Sequence, residues 1–348
     1  MPRGHAGSSA LAIVALACLL LASVASSLLA QGNDIEALWK EKLKRPAHPP
    51  SSPPDNPLTP DKVTLGAKLF VDTRLSGNGK RSCATCHRPE KEFTDGRRRA
   101  LALSGAPLRR NTPSLWNLAW SKQYFWDGRA PTLEAQVGMP IAEAQEMGGD
   151  WPQILRRLGT DADLAQGFRA AFPEEPIVSQ ASVLKAMASY VRSLISPPTR
   201  FDAWIEGDAQ ALRPAEVAGF RLFIGKAGCV LCHVGWRFTD DRFHDIGLAG
   251  SDGGRGAVPG GTPGLRAFKT PSLREVAHTA PYMHDGSRAT LEAVIGHYTG
   301  GFVRRPSLAT NLNRDLRLNA QERSDLIAFL RTLSREKGPA RAQRAGPH

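Results

Sequence analysis

Two pentapeptides hold four of the chain's five cysteines: Cys83-Ala-Thr-Cys86-His87 and Cys229-Val-Leu-Cys232-His233. In an exported protein such pairs could close disulfides, and zinc is a second option, but zinc needs four ligands and neither cluster has an obvious fourth. A thiol pair followed at once by His is the attachment signature of c-type haem: two thioethers hold the porphyrin vinyl groups and the adjacent imidazole ligates iron. The pattern predicts two covalent haems, bound through Cys83, Cys86, Cys229 and Cys232, with His87 and His233 as proximal ligands.

The elements that must position these motifs form an internal repeat. Gly66-Ala-Lys-Leu69-Phe70 precedes the first motif and Gly219-Phe-Arg-Leu222-Phe223 the second. Beyond each motif, Thr112–Pro140 aligns without gaps onto Thr270–Tyr298 at a constant offset of 158, with thirteen identities in twenty-nine positions. Pro140 then stands opposite Tyr298, and Trp126 opposite His284. Proline has no side-chain donor and cannot ligate iron, whereas tyrosine can. If this turn faces the distal side, the second haem is closed by Tyr298, or by His297 one residue earlier, and the first is left open.

Thr59-Pro60 reads as a helix start, with Thr as cap and Pro in the first turn. Apolar spacing of helical period predicts further helices at Trp151–Leu158, Ser179–Leu194, Pro214–Phe223 and Ala320–Leu333, and strand-like alternation is scarce. The expected fold is mainly α: two related c-type cytochrome domains, one haem each, arranged as a pseudo-twofold repeat over residues 59–210 and 211–334. Residues 31–58 should form a helix near Asp34–Leu43 and then a strap, with six prolines between Arg45 and Leu58. Asp245–Arg266, with eight glycines, looks like a mobile loop, and residues 335–348 like a basic disordered tail.

Residues 1–30 have the three-part layout of a secretory signal, with Arg3, an apolar run from Ala10 to Leu21, and small residues ending at Ala25 or Ala30. Cys18 lies inside that run and should leave with it. No other apolar run could span a bilayer, so the mature chain is expected to be periplasmic, without a transmembrane anchor. Composition, with 41% hydrophobic and 22% charged residues, excludes disordered, collagen-like and polytopic membrane classes. The net charge of +12 favours an acidic protein partner, and no nucleic-acid partner is expected.

These residues resemble the bacterial di-haem cytochrome c peroxidase/MauG family. The resemblance covers about 59–334 and rests on the paired motifs, Tyr124-Phe-Trp-Asp-Gly-Arg129, Phe268-Lys-Thr-Pro-Ser-Leu-Arg274 and Thr279-Ala-Pro-Tyr-Met-His-Asp-Gly286. It implies an N-terminal peroxidatic haem and a C-terminal electron-transfer haem bridged by Trp126. It also implies a peroxidatic pocket carrying Gln136 and Glu146, and an interdomain calcium held by Asn111, Thr279 and Pro281. Glu143, three residues before Glu146, competes for the same role. Tyr298 falls where many members place Met and MauG places Tyr, and no histidine lies between His87 and His233 to block the first iron.

The leading expectation is a di-haem peroxidase reducing hydrogen peroxide with electrons from a small redox protein, a cytochrome c or a cupredoxin. One alternative is a MauG-like oxidase whose partner protein is itself the substrate. Another is an electron-transfer cytochrome without peroxide chemistry, against which the open first haem argues.

Overall fold

The computed structural model describes residues 35–262, 265–312 and 315–336. The expected signal segment and all of the basic tail beyond residue 336 therefore lie outside the described residues. Helices dominate: α1 (35–43), α2 (Pro60–Phe70), α3 (Cys83–Cys86), α4 (Leu133–Ala142), α5 (Trp151–Gly159), α6 (Ala162–Ala171), α7 (Gln180–Ser193), α8 (Arg200–Ile205), α9 (Pro214–Ile224), α10 (Leu291–Tyr298) and α11 (Ala320–Thr332). The sheet among the described residues is a two-residue antiparallel pair, β1 (Phe243–His244) and β2 (Phe268–Lys269), with Phe243 opposite Lys269.

Helix starts follow local chemistry. Thr59 accepts from the Lys62 amide with Pro60 in the first turn, Ser179 and Ser182 form a reciprocal cap on α7, and Asn319 and Glu322 do so on α11. Thr132 and Thr290 cap α4 and α10 in the same way, each accepting the amide three residues on.

The repeat is visible in the backbone. Asn117 and Glu275, Phe125 and Met283, and Gly128 and Gly286 are pairs 158 apart in which both members have positive φ. The bridges Tyr124–Ala130 and Tyr282–Arg288 match as well. In each half a helix before the haem motif crosses a later one: α2 on α7, and α9 on α11. The repeated glycine lies at each crossing. A Cβ on Gly66 would sit 2.1 Å from the Ala186 carbonyl oxygen, and one on Gly219 would sit 1.9 Å from that of Asp325.

The first half packs Leu65, Leu69, Ile141, Ile154, Leu158, Phe168 and Val183 into one core. The second packs Phe201, Phe220, Phe223, Phe238 and Phe329, with Phe223 and Phe329 centroids 5.1 Å apart. This second core also takes in Leu43 of α1 and Phe201 and Trp204 of α8, which precede residue 211 in the chain. Arg45 holds the start of the strap by donating to the Ser196 and Pro197 carbonyls and pairing with Asp202.

Within the glycine-rich stretch Asp245–Arg266, two described aspartates are tied to distant partners. Asp245, fully buried, is gripped by Arg305 through two hydrogen bonds and by Ser307, and Asp252 is gripped by Arg110. Gly254 also bridges to Ala267. No helix of the described residues is long and apolar enough to cross a membrane.

Candidate functional site

One cavity of about 840 Å³ runs between the halves and is lined by both Cys-X-X-Cys-His motifs. A short helix capped by Ser82 and Thr85 places Cys83 and Cys86, and a tight turn after the left-handed Gly228 places Cys229 and Cys232. Each histidine is oriented by its own chain. His87 Nδ1 lies 2.9 Å from the Phe93 carbonyl and His233 Nδ1 lies 2.8 Å from the Phe238 carbonyl. A carbonyl only accepts, so Nδ1 carries the proton and Nε2 keeps its lone pair. Burial lowers the pKa of both imidazoles, partly offset by those carbonyls, which keeps the rings neutral. A neutral histidine with Nδ1–H tied to a backbone oxygen is the arrangement a metal-ligating histidine needs. The residues thus fit two covalent haems.

At the first end of the cavity lie Gln136, Pro140 and Glu146, beside Arg81 and Cys86. Glu143 is exposed, whereas Glu146 is partly buried and its pKa is raised, by burial first and by Glu143 second, against the pull of Arg129. Burial thus favours the neutral carboxyl at Glu146. Met147, which follows it, is buried in the first core, and Met139 points outward with 42% exposure.

At the second end, Tyr298 closes α10 near Cys229 and Cys232, and burial pushes its phenol pKa up. His297 is already occupied: its Nε2 lies 2.8 Å from the Ile246 carbonyl and its Nδ1 lies 3.3 Å from Arg288 Nη2. Of these neighbours, Tyr298 lines the cavity and His297 does not.

Trp126 and Asn111 lie on the cavity wall and are tied together, Trp126 Nε1 donating to the Asn111 carbonyl at 2.9 Å. The buried Asn111 side chain donates through Nδ2 to the Arg97 carbonyl at 2.8 Å, so Oδ1 is the atom it offers a cation. Thr279 and Pro281 line the same cavity. Opposite Trp126 in the repeat, the His284 ring stacks on Phe268 with centroids 3.5 Å apart at 8°.

Sequence reasoning missed His244. It lies 2.7 Å from Asp240 and beside Cys232, and its pKa is pushed up to about 10, first by Asp240. These three are the one Cys/His/carboxylate trio close enough to share an ion among the described residues, yet Cys232 belongs to the haem motif. The bond between β1 and the turn after that motif exists only in three dimensions.

The family description "Di-haem cytochrome c peroxidase" matches residues 60–210, and "Cytochrome c" matches residues 216–334. The methylamine utilization protein MauG of Methylorubrum extorquens is 47% identical over 310 residues, 88% of this chain and 87% of that protein. The cytochrome c551 peroxidase of Nitrosomonas europaea is 32% identical over 284 residues, 80% of this chain and 81% of its own. Among solved structures, a MauG-like protein associated with microbial copper homeostasis superposes with a TM-score of 0.76 at 37% identity, covering 84% of this chain and 95% of its own. Likeness on this scale spans both halves and both attachment motifs, and with it the chain belongs to the di-haem cytochrome c peroxidase/MauG family.

Proposed function

We propose that this chain is a periplasmic peroxidase that reduces hydrogen peroxide with two electrons and two protons to two waters, the electrons coming from a small redox protein such as a cytochrome c or cupredoxin. The observation that carries the reading is the asymmetry of the cavity: Gln136, Pro140 and Glu146 at one end, Tyr298 at the other. When bound, the haem of the first end supplies an iron at which the peroxide O–O bond is cleaved.

The chain's residues do the rest. Glu146 takes the proton from one peroxide oxygen and returns it to the other, so that the departing oxygen leaves as water. The Gln136 amide hydrogen-bonds the peroxide and holds it toward Glu146. Pro140 offers no ligand atom, which keeps the approach open. At the second end, Tyr298 would be the residue that holds the second haem iron: burial favours its neutral phenol, so the anionic form would need the iron's positive charge to offset desolvation. Trp126 carries electrons between the two ends. Asn111, Thr279 and Pro281 are the residues that would hold a calcium ion at the seam, where it would fix the two halves together.

The test is stopped-flow mixing of the fully oxidised protein with stoichiometric peroxide. Immediate Soret changes are expected, because no histidine between His87 and His233 can block the first end. An oxidised protein that stays inert until one haem is reduced overturns the open-site reading. The 47% identity to MauG supports a second reading in which the partner protein is oxidised rather than consulted for electrons. Mass spectrometry of the partner after turnover separates the two, since an electron donor leaves unmodified.

A further inference from the structure

A second pocket, of about 320 Å³, opens against the haem cavity and shares Arg109, Ile246, Phe268 and His284 with its wall. Its lining holds Arg99, Arg109, Arg266 and Arg305 against Asp245, Asp252 and Asp285. The aspartates are largely spent. Asp245 is taken by Arg305, Asp252 is taken by Arg110 with Arg109 3.6 Å away, and Asp285 accepts the Ser287 amide. Arg266 donates to the Gly250 carbonyl. Arg99 has a buried Nε without a hydrogen-bond partner. His284 contributes no charge at neutral pH, because burial lowers its pKa.

A buried donor without an acceptor is costly, so the acceptor that repays it belongs to a resident group rather than a visiting one. The positive excess around the pocket asks for an anion. The haems that the larger cavity would hold bring carboxylates of their own, and that cavity shares its wall with this pocket. We propose that Arg99 clamps a haem propionate at the seam between the pocket and the haem cavity, holding it ionised. The proposal rests on the two-haem reading, and a pyridine haemochrome assay tests that separately.

Removing a fixed positive charge beside a haem disfavours the reduced state, and it frees the propionate to titrate. Spectroelectrochemical titration of the holoprotein between about pH 5.5 and 8.5 should therefore show Arg99→Gln weakening reduction of one haem about tenfold at the alkaline end, or 59 mV for one electron. A pH slope absent from the unmodified protein should appear with it. Arg99→Lys, which keeps the charge, should recover most of the potential. If Arg99→Gln does not fold, redox difference infrared spectra of the unmodified protein read the same point, and no protonated-propionate band should appear down to about pH 5.5. Unchanged potentials and slopes in Arg99→Gln with two haems per chain overturn the proposal, as does a protonated-propionate band in the unmodified protein. Unchanged potentials with lost binding of a poly-glutamate peptide also overturn it and assign the pocket to an external anion.

Discussion

At the same point of the two repeats, the helix lining the cavity presents Pro140 in one half and Tyr298 in the other. Everything that places this point is shared: the Thr132 and Thr290 caps, the left-handed Phe125 and Met283, and the crossing glycines Gly66 and Gly219. The shared part consists of backbone turns, caps and close helix approaches, whose geometry tolerates few side chains. What diverges at this point is a side chain facing the cavity, where no packing rule dictates identity. Duplicated scaffolds can therefore change side chains at such a point without losing the backbone that places them.

A second divergent pair sits away from the cavity. Asn117 and Glu275, both fully buried, each donate their amide to the end of the half's long helix, at the Leu194 and Leu333 carbonyls. Asn117 Oδ1 accepts the Ser196 amide, while the Glu275 carboxylate accepts the Arg335 amide. Arg335 also pairs with the buried Glu92, which holds Trp116 Nε1 at 3.2 Å. The neutral version in one half has become an ionisable one in the other. Burial first, and Glu92 second, push the Glu275 pKa up to about 7.

The comparison breaks most completely at the attachment motifs. Replacing Cys229 and Cys232 by Ser, or Cys83 and Cys86 by Ser, should each take the haemochrome assay from two haems per chain to one. Loss of both haems from either change would show that the halves do not load independently. Next in size, Glu146→Gln should slow peroxide reduction by about 10²–10⁴, while Glu143→Gln should stay within about twofold. The rate of the unmodified protein should rise with pH through a carboxyl pKa above the ordinary 4.5, and Glu146→Gln should lack that limb.

Glu275 sharpens the contrast through stability. Its folded pKa lies above the unfolded value, so the folded state holds its proton more tightly, and stability is greatest below about pH 4.5 and falls as pH rises toward 7. Over that window the loss is about 3 kcal/mol. Glu275→Gln should flatten this part of the pH–denaturation curve, whereas Asn117→Asp should introduce a similar slope into the first half. At the helix crossings, Gly66→Ala and Gly219→Ala should each cost about 1–3 kcal/mol in urea unfolding, and equal costs would confirm that the two crossings are equivalent. The smallest effect is expected at the second iron, where Tyr298→Met should favour reduction by about tenfold, or 59 mV, in a spectroelectrochemical titration. An unchanged potential would move the ligand away from Tyr298.

By itself the sequence determined the two haem attachments, the repeat and its offset, and the starts of α2, α5, α7, α9 and α11. These features are local: thiol spacing, a cap residue beside a proline or an apolar period, and a side chain's intrinsic donor atoms. Tertiary structure decided the rest. Helix α4 carries Pro140 inside it and α8 is only six residues long, so their stability comes from packing rather than from a pattern that could be read along the chain. The glycine-rich stretch is held by Arg305 and Arg110, partners 60 and 142 residues away, and no local signal names them. Glu146 parts from Glu143, and Tyr298 from His297, by burial and by prior engagement of ring nitrogens, because desolvation and hydrogen-bond occupancy exist only once distant segments close around a side chain.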